Sequence, residues 1–249
     1  MATAVSLLNH VKTGLRRGSF TASSTTDLYD LMLIQMLNQA KELVEDSWDW
    51  YALRSTITLT LGSGTAAYTL SGGGGANGSA AVSDRGRILY ERGVNAGGPL
   101  AITHTQLPPQ PQVFNTTTAP NYRLVEIPTE QMEGLHLSDN NETGEPMYFS
   151  LYTNAANRLV KFWPTPDATY TISMRFVIPQ AVIPSSSMNS YTLSVPDMPI
   201  QTLALAYAVE ERGDGQGYNL QALHDRANET LYDMIAREMT DEDRTGHPV

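Results

Sequence analysis

The sequence contains no cysteine, so it can form neither disulfides nor thiolate nucleophiles nor Cys-based metal sites. Lysine is nearly missing as well. Lys12, Lys41 and Lys161 are the only three, and every other fixed cation is arginine, the better residue for bidentate ion pairs at interfaces. Positive charge is in deficit overall, with 16 Lys and Arg against 26 Asp and Glu, a formal net charge of -10. That balance argues against a protein that grips nucleic acid by its phosphates, since such binding runs on phosphate neutralisation. A like-charged wall can still surround a polyanion and let it slide. No apolar run approaches the ~20 residues of a membrane span. His10, Lys12, Arg16 and Arg17 interrupt Met1–Phe20, which therefore lacks the apolar stretch of a signal peptide.

The catalytic vocabulary is equally sparse. The five histidines, His10, His104, His136, His224 and His247, make no HxH or HExxH pattern. There is no G-x-S-x-G elbow, P-loop or dinucleotide fingerprint. Gly72–Ser79 is glycine-rich, but it has no Gly-Lys-Ser/Thr and no helix pattern follows, so it reads as a loop. The acidic run Asp139–Glu142 lacks the alternation and glycine of a calcium loop. Arg85, Arg87 and Arg92 flank a strand in company with Asp84 and Glu91; a DNA contact is one reading, and a salt-bridged strand face is the simpler one. No cofactor and no metal are expected.

The chain has helices at both ends and a β-rich middle, an α+β plan. Residues 3–13 place Val5, Leu8 and Val11 on one side of a short helix. Ser24 and Asp27 have capping-box spacing at the head of a long helix. In that helix Leu28, Leu31, Met32, Met36, Ala40, Leu43 and Val44 form one stripe, and Leu33, Ile34 and Leu37 add apolar area elsewhere. A helix apolar nearly all round is buried on more than one face. The expectation is one face packed internally, against two C-terminal helices, and Leu33, Ile34 and Leu37 packed on a neighbouring subunit. Trp48, Trp50 and Tyr51 then read as a core plug, with an aromatic anchor for a partner as the alternative.

From Arg54 the period changes to two, with Ile57, Leu59 and Leu61 alternating with Thr56, Thr58 and Thr60. Further strands are expected around Ala67–Leu70, Gly86–Arg92, Leu100–Thr105 and Tyr122–Ile127. The proline-rich stretch Leu107–Pro120 should run on an edge or across a surface. Met147–Thr153, Arg158–Trp163 and Thr169–Ile178 form a predicted meander, its first turn being Asn154–Asn157. Tyr191–Val195 offers a last strand. Asp197 and Pro199 open an alanine-rich helix, and Leu223, Ala227, Leu231, Met234 and Ile235 stripe the final one. The domain reading is a helical body from 1–52 and 197–239, a β-rich domain over 53–196, and an extended charged tail over 240–249.

The order of a long helix ending in aromatics (Leu28–Tyr51), strands, the segment Arg158-Leu-Val-Lys-Phe-Trp-Pro-Thr-Pro166 with Thr169–Phe176, Pro199 leading an Ala-rich helix, and a final helix resembles the head-to-tail adaptor proteins of short-tailed bacteriophages. The resemblance implies a structural virion protein rather than an enzyme. It implies a ring, usually twelvefold, clamped between the portal protein and the tail nozzle or tube, assembled in the host cytoplasm, with DNA passing through. It further implies that the C-terminus, here Thr240, Asp241, Glu242, Asp243, Arg244 and Val249, reaches the portal. Gly72–Ser83 and Asn95–Pro120 depart from the pattern as long insertions. Other readings of the same plan are a baseplate or fibre-attachment part, a carbohydrate-binding β-module, and a cell-wall glycan hydrolase.

Overall fold

A computed structural model describes residues 2–18, 25–72, 80–81, 85–91, 110–117, 119–138, 142–154, 157–186, 188–211 and 219–245. The helices are α1 (Ala4–Gly14), α2 (Leu28–Ser47), α3 (Thr129–Ser138), α4 (Asp197–Glu211) and α5 (Leu220–Thr245). The strands are β1 (Arg54–Leu61), β2 (Ala67–Thr69), β3 (Ser71–Gly72), β4 (Ala80–Ala81), β5 (Arg87–Ile88), β6 (Tyr90–Glu91), β7 (Gln110–Pro111), β8 (Val113–Asn115), β9 (Tyr122–Arg123), β10 (Val125–Glu126), β11 (Thr143–Gly144), β12 (Tyr148–Asn154), β13 (Asn157–Trp163), β14 (Thr165–Pro166) and β15 (Tyr170–Val177). The fold is α+β, and the chain divides into a helical unit, Met1–Leu53 with Pro179–Val249, and a β unit, Arg54–Ile178.

In the helical unit α4 is the hub, packed by α1, α2 and α5. Its alanines let neighbours approach closely, and Ile200, Leu203, Ala204, Ala206, Ala208 and Val209 are all buried. At Gly14 the approach is closest: a Cβ there would lie 2.9 Å from Leu205 Cδ1. Asp27 caps α2 by accepting from the backbone N–H groups of Tyr29 (2.8 Å) and Asp30 (3.3 Å). Ser24, the other half of the expected capping box, lies outside the described residues. Trp50 is buried and donates its indole N–H to the Val44 carbonyl at 2.7 Å, so it plugs the C-terminal end of α2.

Two expectations for α2 change. Its buried side is Leu33, Ile34, Leu37, Ala40 and Val44, whereas Leu28 is 84% exposed and Leu43 43%. Leu33, Ile34 and Leu37 are therefore covered by the chain's own helices, and the proposed subunit contact through them is withdrawn. Apolar residues stand on every side of this helix, and only the positions of α1 and α4 decide which of them are covered. Further, α2 packs on α4, while α5 packs on α4 as well rather than sandwiching α2.

The segment 179–196, expected in the β domain, belongs to the helical unit. Side chains of α2 hold it as a neighbouring strand would. Asn38 donates to the Ile183 carbonyl (3.2 Å) and accepts from its N–H (2.7 Å). One turn on, Lys41 donates to the Gln180 carbonyl and Glu45 accepts from the Gln180 N–H, each at 3.0 Å. Lys41 and Glu45 also pair with each other at 3.0 Å, both with side chains fully buried. The Gln180 side chain in turn accepts from Ser194 N–H and donates to the Thr192 carbonyl. Thr192, in the expected last strand, makes only an isolated bridge to Thr3.

In the β unit one sheet runs β1-β15-β8-β9, with β5 also paired to β15, and a second runs β10-β12-β13-β2. Ile57, Leu61, Ile172, Met174, Phe176 and Val113 from the first meet Phe149, Val160 and Phe162 from the second in one core. The alternation read over 54–61 and 170–178 is the inward and outward facing of these strands. The expected meander is broken. β12 and β13 pair from Tyr148↔Trp163 to Asn154↔Asn157, but β15 leaves that sheet and pairs with β1 over eight positions. Pro164–Asp167 carries the chain between sheets, with β14 pairing β11 on the way. The proline-rich stretch is not all edge either, since β8 lies inside its sheet between β15 and β9. Its ladder residues, Val113–Asn115, fall between Pro111 and Pro120 and keep their N–H donors. A helix, α3, follows β10 and packs on β12 and β13. Leu100–Thr105 and most of the glycine-rich loop fall outside the described residues.

Candidate interaction surfaces

Among the described residues no group of three or more His, Asp or Glu is placed to hold a metal ion. His136, on α3, is half-buried with a ring nitrogen 3.2 Å from the Phe162 carbonyl. Burial, then the Lys161 charge, hold its pKa below the ordinary value. This is a packing role, since no carboxylate or nucleophile pairs with it among its described contacts. Most of the acidic run Asp139–Glu142 and the arginine at 92 lie outside the described residues.

Two polar constellations stand out in the β unit. Asn115 is fully buried; its amide donates to the Tyr122 hydroxyl (2.7 Å) and to Glu145 (3.2 Å), and its carbonyl accepts from Thr117 N–H (2.9 Å). The Tyr122 hydroxyl donates to the Pro146 carbonyl at 3.0 Å. Burial pushes Tyr122 up to about 12, and the charge and hydrogen bonding of Glu145 add to it. Every polar atom here is occupied by a neighbour, so the network fastens the 142–147 segment to the sheet. The second constellation borders a groove of about 660 Å³ lined by Tyr90, Pro111, Arg123, Val125, Glu126 and Pro128. In it Tyr90 donates to Glu126 and Arg123 to Gln110. Neither place aligns a nucleophile with a base.

The charged surfaces are more informative. The helical unit holds 17 Asp and Glu against 8 Lys and Arg, while the β unit holds 9 against 8. Nearly all of the net charge therefore sits on one unit. Much of it is on α5, whose exposed Asp225, Glu229 and Asp233 recur at i, i+4 and i+8 and so share a face. Tyr232 stands beside them, 70% exposed. The tail differs from expectation: Thr240, Asp241, Glu242, Asp243 and Arg244 continue α5 as helix to Thr245, and Val249 lies outside the described residues. Extending a formed helix needs no new nucleus, and Gly246 is the first breaker the helix meets.

The five-stranded sheet has the opposite sign. Its strands β1, β5, β8, β9 and β15 contain no Asp, Glu or Lys, only Arg54, Arg87, Arg123 and Arg175. Register places all four on the face turned from the core. Arg54 and Arg87 both pair with Val177, Arg175 pairs with Thr56, and Arg123 pairs with Phe114, over whose ring its guanidinium lies at 5.1 Å. Arg175 donates to Gln112 at 3.1 Å. Sequence reading found Arg87 but assigned it to a local cluster; the sheet that gathers the four arginines joins strands far apart in the chain.

The chain belongs to the SU10 adaptor protein family, a head-to-tail adaptor family of phages, whose family model matches residues 2–249. No curated relative matches the sequence. The family is one of phage structural proteins and implies a place in the virion and contact with other head and tail proteins. None of the described helices is long and apolar enough to cross a membrane.

Proposed function

We propose that the chain is a non-enzymatic adaptor that forms a homo-oligomeric ring, twelvefold in the related proteins, joining the portal of the phage head to the tail nozzle or tube and lining the DNA channel. The observation that carries this reading is the family match along almost the whole chain, 2–249, rather than over one unit. Charge supports the channel role: a surplus of 17 acids over 8 bases on the helical unit repels a polyanion and lets DNA pass without a grip. The end of α5, Thr240–Arg244 with Val249 beyond it, is the proposed portal contact. It would be made by a helix rather than by an extended strand, and repeated identical contacts around a ring would make a modest one firm.

The test is deletion of residues 240–249, followed by pull-down on the isolated portal ring and negative-stain imaging. The intact chain should decorate the portal as a ring and the truncated chain should be lost on washing. Unchanged retention of the truncated chain would remove the portal contact from α5. Failure of the intact chain to bind portal rings would remove the adaptor role itself.

A further inference from the structure

We infer that the arginine face of the five-stranded sheet is a docking surface for a second copy of this chain, which presents the acidic stripe of α5. The inference rests on the ring reading above and names the surfaces that would close it. Four features carry it.

First, the sheet's outer face is of one sign. Arg54, Arg87, Arg123 and Arg175 are the only charged residues in its five strands, in a chain of net charge -10. Second, the rest of the face is uncharged: Phe114 and the buried Val177 stand beside the arginines, Thr56, Thr58 and Thr60 are exposed on β1, and Ser173 and Thr171 stand opposite Thr58 and Thr60 on β15. The threonine and serine hydroxyls add no charge of either sign. Third, the matching charge is on the same chain, in the other unit. Asp225, Glu229 and Asp233 are exposed along one side of α5, each separated from the next by one helical turn. Successive turns set carboxylates ~6 Å apart and two turns ~12 Å, a span comparable with the ~10 Å between Arg54 and Arg87, which flank Val177 two strand spacings apart. Fourth, arginine forms paired hydrogen bonds to carboxylates, so the contact would be directional as well as attractive.

The polarity of such a contact matters. The donor surface is in the β unit and the acceptor surface in the helical unit, so each copy uses one of each. A contact between two different patches is heterologous and repeats from copy to copy, closing into a ring if the rotation allows, instead of terminating in a two-fold dimer. DNA is the competing polyanion for the same arginines. The unlike charges of the arginine face and the α5 stripe favour the second copy, because every copy arrives with its own acidic stripe.

The test is a charge exchange in the full chain. Arg175→Glu and Glu229→Arg each alter an exposed side chain, so folding should be intact, and circular dichroism checks it. Assembly is followed by mass photometry at low and moderate salt, with and without portal rings, and DNA retention is followed in parallel. Each single variant should associate about tenfold or more weakly than the parent chain, and Arg175→Glu/Glu229→Arg in one chain should recover association. If the parent forms rings and both single variants form them equally well, the docking surface is wrong and the ring reading stands. If both variants are weakened but the exchange does not rescue them, the arginine face has a different partner surface and the pairing is overturned. Loss of DNA retention by Arg175→Glu with assembly unchanged assigns the face to DNA and also overturns it. If the parent forms no oligomer even on the portal, the ring reading fails and the docking falls with it.

Discussion

Removing the ammonium of Lys41 while leaving Glu45 in place should unfold the helical unit early. Both side chains are completely buried, 3.0 Å apart, and each holds one end of the Gln180 peptide, Lys41 the carbonyl and Glu45 the N–H. Lys41→Met keeps the volume and the aliphatic stem but leaves the buried Glu45 carboxylate without this cation and the Gln180 carbonyl without that donor. Breaking a buried pair from one side costs about 3–5 kcal/mol. Adding Glu45→Gln removes the stranded charge and keeps an acceptor for the Gln180 N–H. The remaining deficit is then chiefly one buried carbonyl, about 1–3 kcal/mol. The double variant should therefore be more stable than Lys41→Met alone, the reverse of what independent sites would give. Urea unfolding read by tryptophan fluorescence measures this if Trp163→Phe is placed in every member of the series, because Trp48 and Trp50 then report on the helical unit alone. The reasoning fails if Lys41→Met unfolds at the parental midpoint, or if the losses of the two single variants simply add in the double.

Two further outcomes are expected. Met36, 8% exposed on α2, should not accept a charge: Met36→Asp should cost several kcal/mol, on the order of 3–5, and a parental thermal transition would count against the packing described. In the β unit the Tyr122 hydroxyl titrates near 12 against an ordinary 10.0, a pKa raised by folding. Its contribution to stability is complete below pH 10, where the phenol is protonated in both states, and is lost as pH climbs through 12. Tyr122→Phe should flatten the alkaline loss of stability over that window, and tyrosinate absorbance followed with unfolding would show whether it does.

How much was legible in the sequence depended on whether a pattern was local. Asp27 as a helix cap, the 3.6-residue rhythm of α1 and the alanines of α4 report on neighbours a few residues away, and the structure has them where expected. So do the alternation of β15 and the β12–β13 pairing that ends at Asn154 and Asn157. The pairing of β1 with β15 spans more than a hundred residues, and nothing in Arg54–Leu61 points to Tyr170–Val177 as its partner rather than to β13. Leu33, Ile34 and Leu37 were recognisable as buried, but not by what, because a helix apolar all round does not say which neighbour is its own chain. Residues 179–186 carry no periodic signal at all; their place is set by Asn38, Lys41 and Glu45, three polar residues that sequence patterning assigns to solvent. Asp241–Arg244 looked too charged to order, yet an established helix extends through them to Thr245. The arginine face was the least visible, since its members come from four strands and acquire a common side only through register.

The point at which the β unit joins the rest of the chain has a consequence of its own. Its first strand begins at Arg54 and its last ends at Val177, and these two residues are direct cross-strand partners. Chain entering and chain leaving are thus neighbours in a ladder, separated by a strand spacing of about 5 Å. The β unit is a cassette with adjacent leads, and exchanging its contents, lengthening its loops or grafting another two-lead module in its place changes nothing in the distance between Leu53 and Pro179.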